Sequence, residues 1–227
     1  MRGAVTLLAS LGAVYLALCA ALFIFQRALI YVPRPRAAGP TASVMTLATA
    51  QATLQISTRP LPGPKALVYF GGNAEDVSLS LPGLAAAFAD HAIYLLHYRG
   101  YGGSSGAPSE AALIEDGLAL FDKVHAEHAD VVVIGRSLGS GVAIQVASQR
   151  RAARLVLVTP FDSLEDLAAS HYPMFPVRWL LRDTYRSSDF APRVTAPTTI
   201  VAAEHDEVIP HKSAALLFTR SANGIAP

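Results

Sequence analysis

The spacing of hydrophobic and polar residues changes twice along this chain, and each change predicts a different kind of structure. Residues 3–26 form an apolar run without a charged side chain. Between Val44 and Ser57 apolar and polar residues roughly alternate, which predicts two antiparallel edge strands. Five short, continuous apolar runs follow, a pattern typical of strands that are buried on both faces of a parallel sheet. These runs are Ala66–Phe70, Ala92–Leu96, Val131–Ile134, Leu155–Val158 and Thr198–Ala202.

Helical patterns occupy the gaps between these runs. A short helix is predicted from Ser80-Leu81-Pro82 to about Ala89, because serine followed by proline is typical of a helix start. Three further helices are predicted at Ser109 to about Ala126, Gly139–Ser148 and His211–Ala222. Strands and helices in alternation predict an α/β fold with a mainly parallel sheet over residues 41–227.

The first apolar run is long enough for a membrane-spanning helix, which needs about 20 residues. A cleaved signal peptide is the alternative, but its apolar region usually covers only about 7–15 residues. This run continues through Phe25, past the small residues, which favours an uncleaved anchor. Residues 1–40 are therefore predicted to form an N-terminal transmembrane helix and a stalk containing Pro33, Pro35 and Pro40. Arginines on both sides leave the membrane face open.

Composition narrows the class of protein further. Hydrophobic residues make up 52% of the 227 residues and charged residues 15%, with a net charge of +1. These values disfavour a disordered or nucleic-acid-binding protein. The single cysteine, Cys19, excludes an internal disulfide. No cluster of His, Asp or Glu has the spacing of metal ligands, so the sequence implies neither metal nor cofactor. Oligomeric state stays open.

The candidate chemistry lies where the strand Val131–Ile134 runs into Gly135-Arg136-Ser137-Leu138-Gly139 and a helical pattern follows. This is the G-x-S-x-G nucleophile elbow in a strand–turn–helix setting. Side chains at Gly135 or Gly139 are expected to collide with the neighbouring strand and helix. The turn would expose the Ser137 hydroxyl and place the Leu138 N–H at a helix N-terminus, where it can stabilise an oxyanion. A structural serine in a glycine-rich turn is the alternative.

Polar residues also follow the other apolar runs, at the strand ends where open α/β sheets form their sites. We expect five loops to meet at one edge of the sheet. They are Gly71–Asn73, His97–Gly102, Gly135–Ser137, Thr159–Asp162 and Glu204–Asp206.

Taken together, these segments resemble the α/β-hydrolases, and most closely the membrane-anchored branch that includes the Bem46-like, ABHD13-like and ABHD17-like serine hydrolases. The matching segments follow the family's order along nearly the whole chain. They are Phe25-Gln26 with Leu29 to Pro33, Gly72-Asn73-Ala74, Tyr98 to Gly102 with Ser104 and Gly106, Pro108-Ser109-Glu110, the elbow, Pro160 to Leu164, His171-Tyr172-Pro173, and His205 to Pro210.

The resemblance assigns a role to four positions. Ser137 corresponds to the nucleophile, and Asp206 to the acid of the catalytic triad. The backbone N–H groups of Leu138 and Asn73 correspond to the oxyanion hole. The family usually has His-Gly-Asn in the first loop, where this chain has Gly71-Gly72-Asn73. Because the donor is a backbone N–H, this difference is expected to affect orientation more than chemistry.

The histidine of the triad has no evident counterpart. In the family it follows the acid after one more strand. Residues 207–227 are predicted to form one helix and a frayed tail without that strand, so we expect a truncated version of a longer hydrolase. His211 is the sole histidine after Asp206, and it is expected to be a surface residue at a helix start rather than the base; His205 is the weaker candidate. The other histidines considered, at 97, 125, 128 and 171, are expected in loops or on the surface.

Three further features have competing interpretations. Arg99 is expected to tie its loop to nearby carbonyl groups, with substrate binding as the alternative. Asp162 is expected to cap a helix, with a role as alternative acid. Ser163–Pro192 is expected to form a small lid over the site, although its aromatic residues would also suit ordinary packing.

The function favoured by these observations is a membrane-anchored serine hydrolase that cleaves acyl esters or thioesters through an acyl-enzyme. The apolar anchor favours a small-molecule or lipid-like acyl substrate. Without a base, Ser137 would be a poor nucleophile, so a catalytically inactive, anchored binding module is one alternative. A serine peptidase is the other, since the same triad cleaves amides.

Overall fold

The computed structural model describes residues 1–37, 43–203, 209, 211–221 and 224–225. Its centre is one eight-stranded sheet with the spatial order β1-β2-β4-β3-β5-β6-β7-β8. The strands are β1 (Ser43–Ala48), β2 (Thr53–Arg59), β3 (Lys65–Phe70), β4 (Ala92–His97), β5 (Asp130–Arg136), β6 (Arg154–Val158), β7 (Thr198–Val201) and β8 (Gly224–Ile225). The five apolar runs are confirmed as β3 to β7.

The first two strands form the predicted antiparallel hairpin, in which Leu47 pairs with Leu54. The expectation that both are edge strands is wrong for β2, because its second side pairs antiparallel with β4 and places Ser57 opposite Leu95. All pairings from β4 through β3 to β8 are parallel. The sheet is therefore mainly parallel, as the alternation of strands and helices predicted.

The end of the chain differs from the expectation. Gly224 and Ile225 form β8, which pairs parallel with Thr198 and Thr199 of β7. The prediction that no strand follows the last helix was therefore wrong. Two residues are too few to produce a hydrophobic period, so the sequence pattern could not indicate this strand.

Helices cover both faces of the sheet. They are α1 (Arg2–Ile30), α2 (Leu81–Ala87), α3 (Glu110–His125), α4 (Leu138–Gln149), α5 (Leu164–His171), α6 (Val177–Leu180), α7 (Ser187–Phe190) and α8 (His211–Arg220). Helices α1 to α4 and α8 agree with the predicted segments to within a few residues, whereas α5 to α7 lie in the segment that was expected only to form a lid. Within the sheet, alternate residues serve two separate cores. Val68 and Val133 belong to the larger one, whereas Leu67 and Val132 belong to the smaller one beneath α2.

Helix α1 has 29 residues and is long and apolar enough to cross a membrane. The chain after it packs against the domain instead of forming a free stalk. Tyr31 is buried in the larger core. The Arg34 carbonyl accepts a hydrogen bond of 2.9 Å from the Gly102 N–H, and the Ala37 N–H donates to Asp76 Oδ2 over 2.6 Å. Pro40, the last proline of the predicted stalk, lies outside the described residues.

Candidate active site

Ser137 lies in a strained turn between β5 and α4. Its backbone angles, φ 49° and ψ −117°, are unusual for a residue with a side chain. The turn is held from both sides: the Ser137 N–H donates to the Val158 carbonyl over 2.9 Å, and its own carbonyl accepts from the Ser140 N–H over 2.9 Å. This is the geometry expected of a nucleophile elbow.

Close approach of helix α4 to the strands requires the two elbow glycines. A Cβ added to Gly139 would lie 2.0 Å from the Phe70 carbonyl oxygen at the end of β3. A Cβ on Gly135 would lie 2.4 Å from the Gly139 oxygen and 2.5 Å from Ala143 Cβ. The predicted collisions are confirmed, and they explain why the helix can begin directly above the sheet edge.

The loop after β3 lies beside the elbow. A Cβ placed on Gly72 would be 3.7 Å from Ser137 Cβ, so the segment Gly71–Asn73 borders the nucleophile candidate. Within the described part of the chain, no acceptor pairs with the N–H of Asn73 or with the N–H of Leu138, the first residue of α4. Two unpaired amides beside a serine are what an oxyanion requires.

The Asn73 side chain fixes this loop against two other segments. Its Oδ1 accepts hydrogen bonds from the Tyr101 hydroxyl over 2.8 Å and from the Val32 N–H over 3.0 Å. Its amide nitrogen donates to the Ile30 carbonyl. These contacts hold the loop in place beside the elbow, where the Asn73 backbone N–H has no acceptor among the described residues. Tyr98 adds a bond of 2.9 Å from its hydroxyl to the Gly71 carbonyl.

A second support comes from Glu75, which sequence analysis did not single out. Its carboxylate accepts from the Gly72 N–H over 2.6 Å and from the Tyr69 hydroxyl over 2.9 Å. It also accepts from the Ser80 hydroxyl over 2.8 Å and pairs with Arg136, the second residue of the elbow, over 3.4 Å. Burial raises the pKa of Tyr69, so this hydroxyl keeps its proton and remains a donor. Glu75 therefore connects the loop after β3 to the elbow.

Ser137 opens into a cavity of about 650 Å³. Most of the lining is apolar, and it comes from the elbow, the first loop, the region 163–192 and helix α1. The lining residues are Leu22, Gln26, Leu29, Ile30, Asn73, Ser137, Leu138, Phe161, Leu164, Leu167, Ala168, His171, Tyr172, Phe175, Val177, Leu180, Leu181 and Ile209. Helices α5 and α6 thus lie where a lid was expected.

The contribution of α1 to this cavity was missed by sequence analysis. At the end of α1, Arg27 forms a two-point ion pair with Asp183, with distances of 2.9 and 3.1 Å. The buried Tyr31 hydroxyl lies 3.1 Å from Asp183 Oδ2 and 3.0 Å from the Tyr185 hydroxyl. Burial raises the pKa of Tyr31. The apolar run gave no sign of these contacts, because each partner is more than 150 positions away.

Two histidines that were expected in loops or on the surface are buried. His97 ends β4, and its Nε2 lies 2.9 Å from the Ser57 hydroxyl. Burial lowers the pKa of His97 to about 4. His128 lies between the Tyr94 hydroxyl and the Gly63 carbonyl. The expectation was wrong for His97, which lies in a buried strand. His128 does lie in a loop, between α3 and β5, and it is buried there. A histidine can be buried when its ring nitrogens have hydrogen-bond partners nearby.

The remaining histidines differ in their relation to the cavity. His125 is exposed on α3. His171 is the single described histidine that lines the cavity, and its Nδ1 lies 2.9 Å from the Leu167 carbonyl. Because a carbonyl only accepts, Nδ1 donates in this bond. His211 begins α8, as predicted. His205 and Asp206, the acid implied by the resemblance, lie outside the described residues.

Arg99 is buried away from the cavity, and it bonds two carboxylates and one side-chain carbonyl, Gln51 Oε1, at 3.1 Å. Its guanidinium makes two hydrogen bonds of 2.8 Å to Asp116 and a third, of 3.2 Å, to Glu115. The expectation of a carbonyl partner is therefore met only by Gln51, and the stronger bonds go to carboxylates. The sequence could not indicate the carboxylates, because they lie on α3.

Asp162 does not cap helix α5, as had been expected. Ser163 is the N-cap and accepts from the Asp166 N–H over 3.1 Å. Asp162 Oδ1 instead accepts from the Ser213 hydroxyl on α8 over 2.5 Å. Among the described residues, no group of three or more His, Cys, Asp or Glu side chains is placed to hold a metal ion.

Comparison with known proteins places this arrangement in a family. Residues 61–223 match the Alpha/beta hydrolase family, and the chain belongs to it. An uncharacterized protein of Mycobacterium tuberculosis is 36% identical over 209 residues, which cover 82% of this chain and 71% of that protein. The protein Bem46 of Schizosaccharomyces pombe is 30% identical, over 67% of this chain and 54% of its own length. The resemblance to the Bem46 branch is thereby confirmed.

Two further relatives carry names that describe an activity. The lysophosphatidylserine lipase ABHD12 of Xenopus tropicalis is 32% identical over 63% of this chain and 43% of that protein. The solved structure of the Pyrococcus furiosus esterase Pf2001 superimposes with a TM-score of 0.68 at 15% identity, covering 86% of this chain and 88% of the esterase. The matched part of the chain spans about half the length of Bem46 and less than half the length of ABHD12.

Proposed function

We propose that this protein is a membrane-anchored serine hydrolase that cleaves acyl ester or thioester bonds, with Ser137 as the nucleophile. One observation carries the proposal: Ser137 stands on a strained turn, at an apolar cavity, beside two backbone amides without an acceptor among the described residues. A serine with a purely structural role has no need for that combination.

In the proposed reaction a general base takes the proton of the Ser137 hydroxyl as its Oγ attacks the acyl carbonyl carbon, and a tetrahedral intermediate forms. The N–H groups of Leu138 and Asn73 stabilise the negative oxygen, and Leu138 adds the field of the α4 N-terminus. The same base returns the proton to the leaving alcohol or thiol. The bond to this group breaks, leaving an ester between the acyl group and Ser137. Water hydrolyses this acyl-enzyme and releases the acid. Asp206 is proposed as the acid of the triad on the resemblance alone.

The cavity lining supports a lipid-like acyl group as the substrate. Leu164, Leu167 and Phe175 of the region above the site and Leu22 and Leu29 of α1 offer mainly hydrocarbon surface, and an apolar pocket of this size suits a drug-sized or acyl-chain ligand. The name of the relative ABHD12, a lysophosphatidylserine lipase, agrees with this substrate class.

Helix α1 is proposed as the anchor. It presents large apolar side chains to its surroundings, among them Leu8, Leu16, Ile24 and Phe25, each more than half exposed. Such a surface is costly in water and suited to a bilayer. The region 163–192 is proposed as the lid.

A fluorophosphonate probe tests the nucleophile directly. The full chain in detergent is expected to be labelled, and Ser137→Ala is expected to abolish labelling and p-nitrophenyl ester hydrolysis. Ser148→Ala is the matched control, because Ser148 lies near the other end of α4, where its hydroxyl donates to the Gln145 carbonyl. An inactive binding module would show neither labelling nor turnover. Faster cleavage of an aminoacyl amide than of the ester would indicate a peptidase.

The same assay identifies the proton acceptor. His171→Gln removes the one described histidine that lines the cavity, and His211→Gln removes the histidine at the start of α8. A loss of ester turnover by about 100-fold or more in one variant is expected of a general base. If both variants hydrolyse the ester as fast as the unsubstituted protein, neither residue is the general base.

A further inference from the structure

One face of α1 is covered by the lid over a long stretch. Tyr15, Cys19, Leu22 and Gln26 follow one another at intervals of three or four residues, which places them on one side of the helix. Cys19 and Gln26 are buried, although most of the helix is exposed. The covering segment is Tyr172–Leu181, defined here as the lid strip.

Two contacts fix how far the lid strip runs along α1. The Tyr15 hydroxyl donates to the Met174 carbonyl over 2.9 Å, and the Tyr15 ring stacks on Phe175 with 6.1 Å between centroids. The Gln26 side chain donates to the Leu180 carbonyl over 3.0 Å. Tyr15 and Gln26 are separated by about 16 Å along the helix axis, because an α-helix rises 1.5 Å per residue.

The position of the first charged residue after the apolar run indicates how deep Tyr15 would lie in a bilayer. Residues 3–26 carry no charge, and Arg27 follows directly. If Arg27 marks the bilayer surface, Tyr15 lies about 18 Å deeper, because 12 residues separate them at 1.5 Å each, slightly more than half the thickness of a hydrocarbon core of about 30 Å. Met174 and Phe175 contact Tyr15 and must then lie at a similar depth.

The lid strip has a composition and a backbone that suit such a position. Arg178 is its one charged residue, and it pairs with Asp166 over 2.8 Å. Its outer surface is mainly apolar, with Met174 61% and Trp179 87% exposed, although the Arg178 side chain is also 69% exposed. Residues 173 and 176 are prolines, which have no N–H. The N–H groups of residues 175, 177 and 179–181 all donate to carbonyls of the strip, while those of Met174 and Arg178 pair with no acceptor in the described part of the chain. The strip thus satisfies most of its backbone N–H groups internally, which lowers the cost of placing it in lipid.

We propose that the lid strip is immersed in one leaflet beside α1, and that a lipid acyl chain moves from the bilayer hydrocarbon into the Ser137 cavity between them. The cavity is lined by Leu22 and Leu29 of α1 and by Phe175 and Leu180 of the strip, so its wall on this side would face lipid rather than water. This inference rests on the proposed anchoring by α1 and adds the route by which the substrate reaches the site.

The single tryptophan of the chain allows a direct test. The full chain is reconstituted into phosphatidylcholine vesicles, and Trp179 fluorescence is measured with lipids brominated near the headgroup or near the end of the acyl chain. We expect strong quenching of Trp179 by the shallow bromines, because its neighbour Leu180 lies at the level of Gln26. Met174→Trp, made together with Trp179→Phe, is expected to be quenched more strongly by the deep bromines.

The control places tryptophan at the opposite edge of the sheet. Ala126 is exposed at the C-terminal end of α3, just before β5 begins. Ala126→Trp with Trp179→Phe is expected to be quenched by aqueous acrylamide and not by brominated lipid.

The possible failures are distinguishable by vesicle flotation. If the protein floats with the vesicles but Trp179 responds like the Ala126→Trp control, the immersed strip is refuted and the anchor stands. If the protein does not float, the anchor itself is refuted, and the immersed strip with it. A depth order opposite to the expected one for Trp179 and Met174→Trp would also overturn the proposal.

Discussion

The Glu75 carboxylate accepts a hydrogen bond of 2.6 Å from the N–H of Gly72, the residue directly before Asn73. A charged acceptor at that distance holds the loop peptide in one orientation. The N–H of Asn73 that we propose for the oxyanion hole therefore depends on a residue that does not face the cavity.

Weakening this acceptor should impair catalysis more than folding. For Glu75→Gln we expect kcat for a soluble ester to fall about ten- to a hundredfold, since small misplacements of catalytic groups have effects of this size. Fluorophosphonate labelling should slow, while thermal stability changes little. Arg136→Gln is the control: it removes only the exposed 3.4 Å ion pair to Glu75 and should leave kcat within about threefold, as expected of a weak surface pair. Equal losses in both variants would contradict the positioning role.

The buried His97 should make the protein less stable in acid. Burial lowers its pKa to about 4, with a partly opposing effect of Asp76, whereas an unfolded histidine titrates near 6.5. Between these values the unfolded chain binds the extra proton, so stability falls as the pH is lowered from about 6.5 towards 4, by about 3 kcal/mol in total. Thermal unfolding in detergent across this range should show a shallower pH dependence for His97→Gln. Parallel curves for both proteins would exclude His97 as the source.

The contact between α4 and β3 leaves no room for a methyl group at Gly139. A Cβ there would lie 2.0 Å from the Phe70 oxygen, which is backbone and cannot move aside. We expect Gly139→Ala to destabilise the fold by about 3 kcal/mol, the upper range for overpacking. Gly83→Ala on α2 meets nothing within 4 Å and should be neutral or stabilising by up to about 1 kcal/mol. A stable Gly139→Ala protein would show that the elbow is looser than described.

Removing one partner of the ion pair between Arg99 and Asp116 should destabilise the fold strongly, whereas replacing both partners with apolar residues should destabilise it much less. Asp116 is fully buried, and burial raises its pKa although Arg99 opposes that effect. Asp116→Ala is expected to cost about 3–5 kcal/mol because it leaves the guanidinium buried without its main partner. The double variant Arg99→Met with Asp116→Leu should recover most of this loss. Glu115→Gln, at the exposed carboxylate, should cost less than about 1 kcal/mol. A double variant less stable than Asp116→Ala would contradict this account.

The sequence was most informative where function or burial constrains consecutive residues. The strand before Ser137 is apolar on both faces, and the glycines at 135 and 139 are required by contacts that any such elbow makes, so fold and elbow were predictable together. The loop after β3 was predictable in part: Asn73 came from the family resemblance, whereas Glu75 did not stand out among ordinary surface carboxylates. Asp206 as the acid stays a prediction.

What the sequence could not indicate are contacts between distant segments. The burial of His97 depends on Ser57 across a strand pair, and the carboxylate partners of Arg99 lie on α3. The packing of α1 against the lid depends on contacts between residues more than 150 positions apart, such as Arg27 and Asp183. Periodicity describes one segment at a time and has no information about which segment covers it.

The distance in sequence between Tyr15 and Met174, 159 positions, also has a consequence for biosynthesis. A ribosome adding about 5–20 residues per second needs roughly 8 to 30 s to make the second partner after the first. If α1 enters the membrane as it leaves the ribosome, the Gln26 side-chain amide lacks its later acceptor, the Leu180 carbonyl, for a similar time. The Ser137 cavity would then be completed late, when the newly folded domain packs against a helix that is already in the membrane.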